Sequence, residues 1–496
     1  MLFNSLSFLI FFPIVLLLYF IIPKKLRYIL LLIASYYFYM CWNAKYALLL
    51  FGSTIITYMA GLIIKATGKR LWLKKTAVAF SLILNFGILF FFKYFDFVFQ
   101  GLEAVLGEFS IVFESPKLDI LLPVGISFYI FQAVGYTIDV YRDKISAEKN
   151  ILRYALFVSF FPQLVAGPIE RSTNLLSQLR NVDKLKLWDA KRIQSGALVM
   201  LYGYFMKMIL ADRIATFVDT VYDPVGFVEY SGFVVLIAAV LFSVQIYCDF
   251  AGYTYIAIGA AKIMGFDLMN NFNTPYLAVN IKDFWDRWHI SLTTWFKDYL
   301  YFPLGGSRKG KIRKYFNILI VFLLSGLWHG SAWHYVVWGT LHGLCRIVGE
   351  MTQKLRTKIY RALRFKRDTL ATKLWQVTFT FLLVTILWMF FRGEDVYQTI
   401  TLLQQMVTVY NPWVLTDGSL FTLGLDAKEW NVMLTALLAL GIVDVCKYKK
   451  IDLVSLFIKQ NLWFRWLFFY VGTMAIVVFG VYGPQYNAAQ FIYFQF

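Results

Sequence analysis

All four histidines of this 496-residue chain, His289, His329, His334 and His342, fall between residues 280 and 343. A neutral imidazole titrates near working pH and can take the proton from a hydroxyl as its oxygen attacks a carbonyl, so the stretch is compatible with acyl transfer. His329 lies in S-G-L-W-H-G, Ser325 to Gly330, far along an apolar run. It could be a satisfied core side chain. However, an ionisable group at depth is costly, and the small residues Gly326, Gly330 and Ser331 let other groups approach, so function is favoured. His289 follows Asp286, Arg287 and Trp288 in D-F-W-D-R-W-H; taken alone it fits a surface position on an amphipathic interfacial helix equally well. His334 and His342 stand five and thirteen residues beyond His329. Five is not a same-face helical spacing, no acidic residue intervenes and Cys345 is solitary, so no metal site is expected. Packing or hydrogen bonding is the expected role of both.

The elements that hold these residues follow from charge. Ahead of the apolar stretch 315–348 stand Lys297, Arg308, Lys309, Lys311, Arg313 and Lys314; behind it stand Lys354, Arg356, Lys358, Arg361, Arg364, Lys366 and Arg367. Basic residues mark the cytoplasmic side, so both ends lie there. Two arms of about 14 residues each reach roughly 20 Å, short of a hydrocarbon core of about 30 Å. An inserted hairpin therefore puts its turn, Trp328 to Ser331, inside the membrane. Non-helical backbone at that depth must be buried in protein or line a wet cavity, which predicts a polar cavity around His329.

Composition agrees with a membrane protein. The chain is 59% hydrophobic and 19% aromatic, and apolar runs recur along it. These features predict an all-α polytopic fold, a single domain over 1–496 with about eleven transmembrane helices plus re-entrant and interfacial pieces. The net charge of +19 sits in short loops, which speaks for anionic lipid or an anionic cytoplasmic substrate rather than nucleic acid. Cys41, Cys248, Cys345 and Cys446 are dispersed and are expected to be thiols.

Taken in order, Leu6–Ile22 is a retained first helix followed by Lys24, Lys25 and Arg27, which puts the N-terminus outside. The chain then crosses to a short outer turn around Trp42 to Lys45, and further spans are expected at 46–64, 76–92, 121–140, 195–211, 231–248, 373–391, 432–445 and 463–481, leaving the C-terminus outside. Glu103, Glu108 and Glu114 are expected in an outer loop. Ala155–Ala166 is too short to cross and is expected to dip in and return. Asp249, in Y-C-D-F-A-G-Y at the close of a span, suits capping or an interfacial position as well as catalysis. P-L-G-G-S-R-K-G, Pro303 to Gly310, lacks Walker spacing, yet its cations could attract phosphate.

D-F-W-D-R-W-H-I-S-L-T-T-W-F-K-D-Y-L-Y-F-P-L-G-G-S followed by W-H-G strongly resembles the membrane-bound O-acyltransferase family, in its bacterial alginate and cell-wall polysaccharide O-acetyltransferase branch. L-P-V-G-I-S-F-Y at Leu122, F-P-Q-L-V-A-G-P-I at Phe161 and F-F-R-G at Phe390 add to the likeness, which spans about 121–393. The resemblance implies a catalytic His329, with His289 at the cytoplasmic side of the same central pore. It implies an acyl thioester donor such as acetyl-CoA, with no bound cofactor, a bacterial cell-membrane location and an extracytoplasmic SGNH-hydrolase-like partner. Trp328, Asp286, Arg287, Ser325, Arg308 and Lys309 are candidate substrate or donor contacts. D-alanyl transfer to teichoic acid, a proton-relaying transporter and a non-catalytic scaffold are the alternatives; no internal repeat of the transporter kind is visible.

Overall fold

The computed structural model describes residues 1–116, 122–165, 167–223, 229–362, 366, 369–482 and 492. Leu121, Ala166, Arg364, Arg367 and the expected outer C-terminus lie outside the described residues. Every regular element among them is helical. Among the described residues seven helices are long and apolar enough to cross a membrane: Ala44–Ala66, Leu71–Glu108, Ala190–Tyr222, Gly232–Met264, Leu370–Arg392, Ala427–Tyr448 and Leu462–Phe479. Leu6–Ile21 is apolar but has 16 residues.

Several boundaries differ from the sequence reading for one reason: the helical hydrogen-bond ladder continues past the end of the apolar run. Leu71–Glu108 is one helical stretch with a wide π turn at Phe90–Tyr94, so Glu103 and Glu108 are helical rather than in a loop. Gly232–Met264 has 33 residues, about 50 Å of helix, and Asp249 stands in its middle rather than at a span's close.

The chain groups into two compact units, Met1–Met200 with Thr254–Met269, and Leu201–Tyr253 with Asn270–Phe496. In the first, the segment expected to dip and return is a short helix, Ile151–Ser159, and then a single turn, Phe161–Leu164. The Phe157 carbonyl at this break accepts from Gln132 Nε2 at 2.6 Å and Gln163 Nε2 at 2.9 Å. Such side chains satisfy backbone that leaves helical geometry where water is scarce.

The second unit holds a buried ion cluster and the histidine hairpin. Lys207 Nζ lies 2.5 Å from Asp249 Oδ1 and 2.8 Å from Asp212 Oδ1, all three buried. Five residues along an ordinary α-helix rotate by about 500°, leaving the two side chains about 140° apart. Lys207 and Asp212 nonetheless meet, because a π turn at Phe205–Ala211 slows the rotation between them. Removing one partner of such a cluster costs about 3–5 kcal/mol, since a charge is stranded.

The hairpin arms are Lys311–His329 and Trp333–Met351, 19 residues each. Each is about 28 Å long, a turn or more beyond the roughly 20 Å expected, because the first arm begins within the charged segment at Lys311. The arms approach through glycine. A Cβ on Gly326 would lie 2.2 Å from the Tyr335 carbonyl oxygen, and one on Gly339 would lie 2.3 Å from that of Phe322. Small residues permit this approach, and van der Waals contact is what joins helices in lipid. Gly339→Ala should therefore lower stability by about 1–3 kcal/mol through overpacking. Gly349→Ala, where a Cβ meets nothing within 4 Å, should leave it unchanged or raised. Thermal unfolding of both variants in detergent checks this; equal midpoints would refute the glycine contact.

Candidate active site

The site is built on two breaks in helix. The first separates Ile281–Arg287 from Ile290–Phe296. Asn280 caps the first helix by accepting from Asp283 N at 3.0 Å. His289 opens the second with a left-handed backbone, φ 42° and ψ 54°. Asn271 receives the helix start, its carbonyl accepting from Ile290 N at 3.0 Å and its side-chain oxygen from Ser291 N at 3.2 Å. Arg287 ties the same strip down, its Nε 2.8 Å from Asp283 Oδ1 and its Nη1 3.2 Å from Thr274 Oγ1.

The second break is the hairpin turn. His329 is the last residue of the first arm, and Gly330 after it is extended. Ser325 stands four residues earlier and so on the same face. The two breaks bring His289 and His329 together, with ring centroids 6.3 Å apart. Trp328 lies beside both, at 5.8 Å from His289 and 4.9 Å from His329. Around His329 stand Trp338 at 5.1 Å and Phe391 at 5.3 Å, and Phe250 meets His289 edge-on at 4.7 Å. Where the sequence suggested a polar cavity, the rings nearest His329 are thus aromatic. Both histidines are buried, His289 completely.

The other two histidines are held by hydrogen bonds. His342 Nδ1 accepts from Trp285 Nε1 at 3.2 Å, and His334 Nδ1 donates to the Gly393 carbonyl at 2.5 Å. Asp286 and Arg287 line a cavity of about 510 Å³ with Lys282, Asp283, Lys373 and Tyr448. Arg308 and Lys309 are exposed on the segment before the first arm and do not line it. Among the described residues no three His, Cys, Asp or Glu side chains cluster as metal ligands. Sequence reasoning overlooked Phe250, Asn271, Trp338 and Phe391. Phe250 and Phe391 do lie in motifs, Y-C-D-F-A-G-Y and F-F-R-G, whose spacing carries no contact information.

Burial pushes the His289 imidazole down to about 3. It is thus neutral at physiological pH and a reluctant base in this state.

Among the described residues, seven helices apolar enough to cross a membrane describe a multi-pass membrane protein, and comparison with known proteins gives its class. Residues 141–393 match the profile of the membrane-bound O-acyltransferase family, MBOAT. The chain is 36% identical to a probable alginate O-acetylase of Pseudomonas putida over 84% of its length and 82% of the relative's. It is 34% identical to a peptidoglycan O-acetyltransferase of Helicobacter pylori over 81% of its length and 76% of the relative's. A teichoic acid D-alanyltransferase of Bacillus subtilis is 29% identical over 46% of this chain and 59% of its own. The chain belongs to the membrane-bound O-acyltransferase family, and it is a multi-pass membrane acyltransferase.

The His289 shift has a stability consequence. The unfolded imidazole titrates near 6.5 and the folded one near 3, so between these values the unfolded chain binds the extra proton. Stability therefore falls as pH drops from about 6.5 toward 3. His289→Gln carries no titrating group and should show a smaller loss of thermal midpoint between pH 7.5 and pH 5 than the parent. Identical losses in the two proteins would contradict the buried neutral state.

Proposed function

We propose that this protein takes an acetyl group from a cytoplasmic thioester, acetyl-CoA, and passes it across the membrane for O-acetylation of an extracytoplasmic polysaccharide, with His329 as general base. The observation that carries the reading is the His289–His329 pair, 6.3 Å apart within aromatic walls. His329 accepts the proton of the acceptor hydroxyl as its oxygen attacks the thioester carbonyl; the C–S bond then breaks, and the proton returns to the departing thiolate. His289 assists at the donor side. The cavity at Asp286 and Arg287 carries Lys282, Arg287 and Lys373 against the carboxylates Asp283 and Asp286, and the exposed Arg308 and Lys309 add positive charge for the donor's phosphates. Trp328 and Ser325 face the reacting groups.

The names of the relatives support acetyl transfer to a polysaccharide, alginate-like or of the cell wall. Their coverage of most of the chain favours this over D-alanyl transfer, whose relative matches less than half. The orientation that goes with it has basic segments in the cytoplasm, an even number of full crossings and both termini outside, in a bacterial cytoplasmic membrane. An SGNH-hydrolase-like protein outside completes the transfer to sugar.

Orientation is tested with single cysteines in a chain whose four native cysteines are replaced by serine. Cysteines near Lys69 and Arg361 should be labelled only from the cytoplasm, and those near Glu108 and Asp417 only from outside. Labelling near Arg361 from outside would remove the inserted hairpin. The chemistry is tested by His329→Ala and His329→Gln, which should fold yet lose transfer by about 10²- to 10⁴-fold, the usual worth of a general base. His334→Gln should lose little. The measurement is release of CoA together with acetylated polymer, using membranes that carry the natural partner. Full transfer by folded His329→Ala would sink the assignment.

A further inference from the structure

The ion cluster in the middle of the Gly232–Met264 helix takes no part in the chemistry above, yet it adjoins the site by one residue. Asp249 carries the cluster and Phe250 carries the contact to His289. Asp249 is engaged from several directions: Lys207 Nζ at 2.5 Å on Oδ1, and the Ile492 backbone N–H donating to Oδ2 at 2.9 Å. Lys207 in turn lies 2.8 Å from Asp212 and faces the Tyr253 ring at 5.5 Å. Three residues on, the backbones themselves close up, for a Cβ on Gly252 would stand 2.9 Å from the Gly203 carbonyl oxygen and 3.0 Å from Lys207 N. This turn of helix thus has little freedom to rotate or slide, and Phe250 projects from it onto His289 at 4.7 Å, with the ring planes at 89°. His289 needs such external support, since its backbone sits at a left-handed break between two helices of seven residues each.

We propose that Lys207, Asp212 and Asp249 are positioning residues for His289: their buried cluster fixes the helical turn that bears Phe250, and Phe250 holds the imidazole by its edge. The inference rests on the reading that His289 serves the acyl transfer. A cluster that only stabilised the fold would make Asp249 and Phe250 independent in catalysis; a positioning cluster makes them one link.

The test is a double-mutant cycle on the full-length purified protein, with acetyl-CoA and acceptor membranes. Asp249→Asn and Phe250→Leu should each fold and lower kcat by about 10- to 100-fold, the effect of a displaced catalytic group, with KM for acetyl-CoA within about twofold. The double variant should be no slower than the slower single one, because both break the same link. Should Asp249→Asn not accumulate as folded protein, Asp212→Asn, which keeps the Lys207–Asp249 pair, takes its place in the cycle. Losses that multiply, or an unchanged kcat in either folded variant, would overturn the proposal. His289→Gln separates the two layers. If it is slow while the cycle is multiplicative, the inference fails and the role of His289 stands; if it retains full kcat, both fall.

Discussion

The structure around the histidines depends on how closely two helices can lie. In lipid no hydrophobic force drives one helix against another, so contact distance decides. Gly326 and Gly339 bring the arms near enough that a single methyl would strike a carbonyl. That closeness puts His329, at the end of one arm, against Trp338 of the other. Wider arms would leave His329 beside lipid or water, and its partners would be a matter of chance.

Polar groups in this unit are buried in two ways. Lys207 bridges the carboxylates of Asp212 and Asp249, and His334 and His342 spend a ring nitrogen on a carbonyl and an indole N–H. Each of those arrangements is closed. His289 and His329 are instead set beside each other among aromatic rings, Phe250 at the first and Trp338 and Phe391 at the second. A buried ion cluster is suited to holding a shape.

Much of this was legible in the residues. Cations on both sides of 315–348 pointed to a helical hairpin, and two helices joined by a short turn stand there. The concentration of histidine drew attention to the stretch in which His289 and His329 meet, and the tryptophan-rich motif pointed to the family that the comparisons then showed. What stayed hidden concerns the backbone. Hydropathy tells where lipid contact stops, not where a helical ladder stops, so Glu103, Glu108 and Asp249 were assigned to loops and ends while they stand within helices. A π turn has no composition of its own, and without it Lys207 and Asp212 would appear to face different ways. Asn271 was invisible because it acts by capping a helix that begins nineteen residues later.

The left-handed backbone at His289 carries one more consequence. Such a conformation costs an ordinary L-residue about 1–2 kcal/mol, and glycine or asparagine meets it with least strain. Selection for a sturdier protein and selection for an imidazole therefore pull position 289 in opposite directions. A chain optimised only for stability would abandon histidine there, so position 289 joins left-handed backbone to an imidazole beside His329.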